Sequence, residues 1–183
     1  MSKVNNWYVI TGGPSTGKTT LLAELEKLGH STIPEAARTL IDKALAKGIS
    51  VAEFRADEKR FQEDVAHLKA EIEATHNTDL LTFFDRGMQD TIAYMRYYGY
   101  NIEKKIENYM KNSIYKNVFL LEPLSAYRSD YARTEDHGFT KKMHKLLHDA
   151  YSEFGMKPIL VPALASAQRA NFVLDYIKED QSK

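Results

Sequence analysis

Residues 12–19 read G-G-P-S-T-G-K-T, which matches the phosphate-binding pattern G-x-x-x-x-G-K-[ST], called Walker A, without a gap. A short apolar run at residues 7–10 precedes this loop and is predicted to be a buried strand. Leucines at positions 21, 22, 25 and 28 follow at helical spacing, and Gly29 stands where that helix would end. A strand, a glycine-rich loop and a helix in this order are the context that the motif requires.

The loop is predicted to bind the phosphates of a nucleotide. Its glycines allow successive backbone N–H groups to surround an oxyanion, and the positive end of the following helix adds to the same field. Lys18 is expected to reach the β- and γ-phosphates, and the Thr19 hydroxyl to bind Mg²⁺. The alternative is a glycine turn followed by a lysine without a role. The predicted nucleotide-binding residues of the loop are Gly12, Gly13, Pro14, Ser15, Thr16, Gly17, Lys18, Thr19 and Thr20.

Composition limits the class of protein. The 183 residues are expected to form one domain, residues 1–183, and the hydrophobic share of 43% is that of a soluble globular protein. Lys plus Arg and Asp plus Glu number 25 each, so the formal net charge is zero and binding to nucleic acid is not expected. We find no cysteine, no predicted leader and no apolar run of membrane-spanning length, which together predict a cytoplasmic protein. Composition does not assign an oligomeric state.

Predicted strands alternate with predicted helices. Strands are expected at residues 7–10, 31–33, 80–84, 118–121 and 159–161. Helices are expected at residues 35–47, 88–98, 102–111 and 165–178, with a long helix carrying apolar residues from Phe54 to Ile72 and another carrying them from Phe139 to Phe154. This alternation predicts an α/β fold, a three-layer α/β/α P-loop NTPase domain with a five-stranded parallel sheet. Ligands of such sheets bind beyond the carboxyl ends of the strands.

Asp85 and Arg86 come directly after a predicted strand. Asp85 occupies the position of a Walker B carboxylate, which predicts that it holds Mg²⁺; the alternative is that it caps the next helix. Arg86 stands where NTPases that drive motion often carry a second acidic residue. An arginine there would stabilise the transferring phosphoryl group and favours transfer to a bound acceptor, with a surface ion pair as the alternative.

Glu35 and Arg38 follow the second predicted strand, where an acceptor would lie against the γ-phosphate. A carboxylate at Glu35 could accept a hydrogen bond from an acceptor hydroxyl or take its proton. The alternative is that Glu35 only stabilises the first helical turn electrostatically. Arg38, one turn further on, would bind an anionic substrate or pair with Glu35.

Two further segments are candidates for substrate contacts. Residues 125–138 are charged and could close over the nucleotide as a lid, with Arg133 as the first choice for a phosphate contact and Arg128 as the second. The alternative is a solvated loop. Four tyrosines at positions 94, 97, 98 and 100 could form a stacking wall for a ring-shaped substrate, or could simply pack in the core.

Together these motifs resemble the nicotinamide-riboside-kinase-like P-loop domains, which are filed among the AAA-type ATPases and are related to nucleoside and nucleotide kinases. The resemblance covers nearly the whole chain and rests on G-G-P-S-T-G-K-T-T (12–20), I-P-E-A-A-R (33–38), F-F-D-R-G (83–87), residues 90–99, D-Y-A-R (130–133) and V-P (161–162). It implies a base role for Glu35, Mg²⁺ and phosphate roles for Asp85 and Arg86, and a clamp role for Arg133. Deoxynucleoside kinases carry Glu-Arg-Ser where this chain has Asp-Arg-Gly, which leaves the division between acid and base open.

The sequence therefore predicts a kinase that uses ATP and Mg²⁺ to phosphorylate a small hydroxyl-bearing acceptor, such as a nucleoside or another ribosyl compound. The alternative is a nucleotide-binding switch that hydrolyses slowly and binds a protein or lipid partner. The chain lacks the guanine-reading pattern N-K-x-D, which favours ATP over GTP without excluding GTP. The segment from Pro162 to Ala165 is the expected adenine pocket.

Overall fold

A five-stranded parallel sheet forms the centre of the structure, a computed structural model that describes residues 5–124 and 137–182. The strands lie in the order β2-β3-β1-β4-β5, and all four pairings are parallel. Their bounds are β1 Trp7–Thr11, β2 Ser31–Ile33, β3 Thr82–Asp85, β4 Asn117–Leu121 and β5 Ile159–Val161. Because β1 is the central strand, the phosphate-binding loop leaves the middle of the carboxyl edge of the sheet.

Helices cover both faces of this sheet. They are α1 Lys18–Lys27, α2 Ala36–Ala46, α3 Val51–Phe54, α4 Glu58–Thr75, α5 Met88–Tyr98, α6 Lys104–Asn112, α7 His137–Glu153 and α8 Ser166–Gln181. Tyr8 and Ile10 of β1 pack against α1 and α8, whereas Trp7 and Val9 pack on the opposite face, where Tyr151 of α7 joins them. This alternation along a buried strand confirms the predicted α/β/α architecture.

The prediction of one long helix from Phe54 to Ile72 was wrong, because the segment forms two helices. The short helix α3 ends at Phe54, and α4 begins at Glu58 with Asp57 as its N-cap residue. The Asp57 carboxylate accepts a hydrogen bond of 3.0 Å from the backbone N–H of Arg60, which starts a new helix. Phe54 and Phe61 still pack together, with ring centroids 5.8 Å apart, so the apolar spacing predicted the common face and missed the break.

Among the residues that the structure describes, no helix combines the length and the apolar character needed to cross a membrane.

Candidate active site

The loop after β1 has the backbone that its glycines allow. Gly12 and Gly17 have φ angles of +151° and +89°, which L side chains rarely adopt. A Cβ atom at Gly12 would also lie 2.7 Å from the Thr16 hydroxyl oxygen and 3.1 Å from the carbonyl oxygen of Leu121. Gly17 is the residue directly before α1, so the loop delivers Lys18 and Thr19 to the first turn of that helix.

Lys18 is buried against the loop that it follows. Its ammonium group donates hydrogen bonds to the carbonyl oxygens of Gly12, at 3.0 Å, and Gly13, at 2.7 Å. Burial and the nearby Arg86 guanidinium lower the pKa of Lys18 to about 7, against the opposing effect of the neighbouring carboxylates. An added negative charge would raise the pKa of a lysine held in this way, and the phosphates of a nucleotide would supply that charge.

A cavity of about 540 Å³ opens over the loop and brings several predicted residues together. The loop and the start of α1 contribute Ser15, Lys18, Thr19 and Thr20 to its wall, and the segments that follow β2 and β3 contribute Glu35, Arg38 and Arg86. A further cavity of about 400 Å³ is lined by Gly17, Thr20 and residues 163–166. It lies where the adenine ring was predicted, and that role stays a prediction.

A second cavity of about 400 Å³ adjoins the cavity over the loop at Glu35 and Arg86. It shares Pro14, Glu35, Arg38 and Arg86 with the cavity over the loop. Aromatic side chains line it from four places in the chain, and these are Phe61, Tyr94, Tyr98 and Phe139. Glu35 and Arg86 therefore line both the cavity over the loop and this aromatic cavity.

The tyrosine cluster of α5 divides between the two roles expected for it. Tyr94 and Tyr98 line the aromatic cavity. Tyr97 packs edge-on against Phe139, with ring centroids 4.6 Å apart, and Tyr100 stacks on Tyr98 at 5.8 Å. Two of the four tyrosines thus face the cavity, and the other two support the ring wall.

Arg86 forms a buried ion pair, so the surface-pair alternative was wrong. Its side chain is 8% exposed, and its Nε donates to the Glu35 carboxylate at 2.8 Å. Its Nη1 donates to the carbonyl oxygen of Gly12 at 3.2 Å and to Asp90 at 3.3 Å. The backbone of Arg86 has a φ angle of +68°, in the left-handed region that a non-glycine residue seldom adopts. One arginine therefore links the phosphate-binding loop to Glu35.

Glu35 is the N-cap residue of α2, but its carboxylate is turned to Arg86 rather than to the first turn of the helix. The electrostatic role in that turn is therefore not the main role of the side chain. Arg38 pairs with Asp42 at 3.3 Å, so the predicted pairing with Glu35 was wrong. Arg38 still lines both large cavities, and its binding of an anionic substrate stays a prediction.

Asp85 ends β3 and is buried beneath Arg86. The N-cap residue of α5 is Gly87, so the capping alternative for Asp85 was wrong. Burial raises the pKa of Asp85 to about 6, although Arg86 and Lys18 act to lower it. Its Oδ1 is buried and has no hydrogen-bond partner among the described residues. Asp85 lines neither large cavity, but an unpartnered carboxylate oxygen together with the Thr19 hydroxyl is a donor set that fits Mg²⁺.

Four side chains that the sequence did not single out hold the turn after Asp85. The backbone N–H of Gly87 donates to the Tyr151 hydroxyl at 3.0 Å and to Asp90 at 3.1 Å. The next N–H, of Met88, donates to the Tyr115 hydroxyl at 2.8 Å, and Lys69 donates to the carbonyl oxygen of Gly87 at 2.6 Å. No local pattern marks these residues, because both tyrosines read as ordinary core positions.

Arg169 of α8 is a further buried residue that the sequence analysis missed. Its guanidinium donates to three carbonyl oxygens, those of Thr16 in the loop, Glu122 after β4 and Pro162 after β5, the last two at 2.8 Å. The side chain is almost fully buried, and burial lowers its pKa. Arg169 thereby joins the phosphate-binding loop to the segment that lines the predicted adenine pocket.

Substituting Gly87 with alanine is expected to destabilise the protein by about 1–3 kcal/mol through overpacking. A Cβ atom there would lie 2.6 Å from the Tyr151 hydroxyl oxygen and 2.7 Å from a ring carbon of Tyr115, and both tyrosines are buried. Urea unfolding measures the loss. Gly48→Ala is the comparison, because its Cβ would meet nothing within 4 Å and any loss there, about 1–2 kcal/mol, comes from the positive φ angle of +79° alone. A Gly87→Ala variant as stable as the unaltered protein would contradict this account of the turn.

The predicted lid at residues 125–138 falls almost entirely outside the described residues, and Arg128 and Arg133 fall there too. Their roles stay predictions. Helix α7 begins at His137, so the last two residues of the predicted lid belong to that helix.

The model of a family described as AAA domain matches residues 7–169 of the chain. No curated protein matches the sequence. Among solved structures, a NadR protein in complex with NR is 19% identical to this chain, with a TM-score of 0.68. The match covers 94% of this chain and 50% of the NadR chain. This chain therefore spans half the length of that NadR protein. Thymidylate kinase from Ehrlichia chaffeensis is 15% identical to this chain, with a TM-score of 0.66. The match covers 96% of this chain and 100% of the kinase chain.

A third solved structure, shikimate kinase from Acinetobacter baumannii in complex with shikimate, is 18% identical with a TM-score of 0.60. The match covers 99% of this chain and 97% of the kinase. Because all three identities are low, these likenesses show the fold alone, and the fold is that of kinase-like P-loop proteins.

Proposed function

The chain belongs to the AAA domain family and has a kinase-like P-loop fold, and on this premise we propose that it is an ATP- and Mg²⁺-dependent phosphotransferase. It transfers the γ-phosphate of ATP to a small acceptor that bears a hydroxyl group. The proposed active unit is a single domain, residues 1–183, with residues 125–138 as its lid. GTP remains a second candidate donor.

One observation carries this proposal: the ion pair of Glu35 and Arg86 forms the common wall of two cavities. A protein that only hydrolyses ATP needs room for the nucleotide and a water molecule. The aromatic cavity provides about 400 Å³ beyond the pair, which is space for a second, ring-bearing molecule. Donor and acceptor would then meet at Glu35 and Arg86.

On the donor side, the loop amides and Lys18 hold the phosphates while Arg86 lies beside the group that is transferred. Both cations are fixed before the reaction, Lys18 by Gly12 and Gly13 and Arg86 by Glu35 and Asp90. Cations fixed in this way stabilise the charge that develops on the phosphoryl oxygens, at little cost in reorganisation. Mg²⁺, held by Thr19 and Asp85, would neutralise phosphate charge and help to fix the geometry of the triphosphate.

On the acceptor side, Glu35 is the candidate base. Its carboxylate is 31% exposed and lies in the wall of both cavities, so an acceptor hydroxyl can reach it. The hydroxyl proton passes to Glu35 as the acceptor oxygen bonds to the γ-phosphorus. The bond from that phosphorus to the β–γ bridging oxygen breaks, and ADP leaves with the electron pair. Arg86 keeps the Glu35 carboxylate oriented through the 2.8 Å hydrogen bond.

The aromatic lining favours a planar ring in the acceptor, such as that of a nucleoside or another ribosyl compound. Tyr94 and Tyr98 from α5, Phe61 from α4 and Phe139 from α7 supply faces and edges on which a ring can stack. The NadR structure holds NR, and the name thymidylate kinase gives a nucleotide as its substrate, so both neighbours are in keeping with a substrate that bears a planar ring. The neutral net charge supports a small-molecule partner rather than nucleic acid, and the absence of cysteine supports a cytoplasmic location.

A screen of acceptors tests this function. Nucleosides, ribosyl vitamins and shikimate are added singly to the protein with MgATP, and the release of ADP is measured together with the mass of the phosphorylated product. We expect at least one ring-bearing acceptor to stimulate ADP release and to gain one phosphoryl group. Slow hydrolysis that no acceptor stimulates would instead favour the nucleotide-binding switch.

Asp85→Asn is expected to stabilise the protein at neutral pH and to raise the Mg²⁺ concentration that half-maximal turnover requires, because one metal ligand is lost. The pKa of Asp85 is about 6 in the folded protein and 3.8 ordinarily, so the folded state holds this proton more tightly than the unfolded chain. This contribution to stability is therefore present below pH 3.8 and is lost as the pH rises through about 6. Asparagine avoids the loss, and we expect a gain of about 2–3 kcal/mol at pH 7.5.

Urea unfolding at pH 7.5 and at pH 3.5 measures this gain, which should nearly vanish at the lower pH because Asp85 is then mostly protonated in both states. The Mg²⁺ concentration for half-maximal turnover measures the second effect. Asp175→Asn is the control, because Asp175 is an exposed carboxylate paired with Lys178 on α8. An Asp85→Asn variant with unchanged stability and unchanged Mg²⁺ dependence would show that Asp85 is neither a buried charge nor a metal ligand.

A further inference from the structure

The left-handed backbone of Arg86 is an unfavourable conformation placed at the centre of the site. Its φ angle is +68°, and a side chain as large as arginine adopts this region only where the surroundings determine it. The conformation matters because it sets the direction of the guanidinium that contacts Glu35 and Gly12. Something in the fold must therefore hold this residue.

Tyr151 of α7 is linked to Arg86 at two places, its backbone and its guanidinium. Each link passes through one other residue, Gly87 for the backbone and Asp90 for the guanidinium. Its hydroxyl accepts a hydrogen bond from the backbone N–H of Gly87, the next residue, at 3.0 Å. The same hydroxyl donates to the Asp90 carboxylate, which in turn accepts from Arg86 Nη1 at 3.3 Å. Thr11, the last residue of β1, donates to Asp90 at 2.7 Å and fixes the other side of that carboxylate.

All members of this chain of contacts are shielded from water. Tyr151 is 0% exposed, Asp90 1% and Thr11 0%. A hydrogen bond to a charged group in such surroundings is strong, and a partner left without its bond is costly. Tyr115 makes a similar contact one residue along, to the N–H of Met88, but its hydroxyl donates to Glu73 and not to Asp90. Among the two tyrosines, Tyr151 alone bonds to the carboxylate that holds the guanidinium.

We propose that Tyr151 is a positioning residue for phosphoryl transfer, which holds Arg86 in its left-handed conformation through Gly87 and Asp90. The inference rests on the proposed function for the step that Arg86 assists. Tyr151 lines none of the cavities over the loop and would touch neither substrate. It acts from α7, an element far along the chain from the loop and from β3.

Tyr151→Phe tests the proposal because it removes only the hydroxyl group. We expect turnover of MgATP with the acceptor from the screen to fall about tenfold, with KM for ATP and the Kd of ADP unchanged. Tyr8→Phe is the matched control, because Tyr8 is equally buried and, among the described residues, its hydroxyl donates to a group two residues away, Asn6, at 3.2 Å. A fall in kcat that the control shares would overturn the proposal.

A double-mutant cycle with Arg86→Lys separates positioning from general loss of structure. If Tyr151 acts through Arg86, the double variant Tyr151→Phe/Arg86→Lys should turn over less than twofold more slowly than the single variant Arg86→Lys. Additive effects would show that the tyrosine acts independently of the arginine and would overturn the proposal. Should Tyr151→Phe fail to fold, Asp90→Asn carries the same cycle, since it keeps the volume and removes the charge that faces Arg86.

A measurement without substrate keeps this inference distinct from the proposed function. In the NMR spectrum of the protein, the Nε–H signal of Arg86 reports its hydrogen bond to Glu35. We expect Tyr151→Phe to shift this signal and to speed its exchange with water at least tenfold, and Tyr8→Phe to leave it unchanged. An unmoved signal would overturn the positioning role, whereas a moved signal in a protein that phosphorylates no acceptor would sink only the proposed function.

Discussion

Replacing Lys18 with alanine should weaken the binding of MgATP at least about 100-fold and abolish turnover. The side chain is 7% exposed, and its ammonium group lies against the carbonyl oxygens of Gly12 and Gly13 at the floor of the phosphate cavity. Each charge-assisted hydrogen bond to a phosphate is worth roughly 1.5–3 kcal/mol, and the lysine is expected to make two. Calorimetric titration with MgATP measures the loss directly.

Lys27→Ala is the control for this prediction, since Lys27 lies on the same helix but is exposed and pairs with Glu24. It should bind MgATP as the unaltered protein does. If Lys18→Ala also bound MgATP normally, the assignment of residues 12–19 as the phosphate-binding loop would fail, and the proposed function with it.

Lys18 also gives nucleotide binding a pH signature. Its pKa is lowered to about 7 in the free protein, and phosphate charge would raise that pKa in the complex. Binding above pH 7 should therefore take up a proton, and the affinity for ATP should fall by up to about tenfold per pH unit as the pH rises. Calorimetry at pH 8 in two buffers of different ionisation enthalpy measures the number of protons taken up on binding. Lys18→Met, which cannot titrate, should show no such uptake.

Local sequence patterns predicted most of the fold because the responsible forces act over short distances. The loop motif fixed the start of α1, and the apolar runs fixed the five strands to within a few residues. Asp85 and Arg86 were predicted from their place at a strand end, where parallel strands bring side chains together. The break between α3 and α4 was missed because the apolar spacing continues across it from Phe54 to Phe61, although Asp57 is a residue type favoured at N-caps.

Contacts between distant parts of the chain could not be predicted from one sequence. The Tyr151 hydroxyl meets Gly87 across a separation of 64 residues, and Arg169 meets Thr16 across 153. Periodicity shows that such a side chain faces inward, but it does not show which backbone group will be there. The left-handed backbone of Arg86 was equally invisible, because it depends on these same partners. The sequence thus predicted several residues that line the cavities, such as Lys18, Glu35 and Arg86, and missed those that hold them in place.

Glu35→Gln should lower the rate of phosphoryl transfer about 10²–10⁴-fold while sparing the binding of MgATP. The amide keeps the size of the side chain and can still accept a hydrogen bond from Arg86 Nε, which now lies 2.8 Å from the carboxylate. It cannot accept the acceptor's proton, so the loss falls on the chemical step. Single-turnover kinetics with an acceptor from the screen measures that step, and calorimetry measures the binding of MgATP.

Glu153→Gln provides the control, because Glu153 also pairs with an arginine, Arg96, at 2.7 Å but lies in the wall of neither large cavity. The same chemical change there should leave both transfer and binding intact, so that loss of an ion pair alone is excluded as the cause. Normal transfer by Glu35→Gln would remove Glu35 as the base. Loss of MgATP binding in Glu35→Gln would instead show that the carboxylate serves the donor side, through its hold on Arg86.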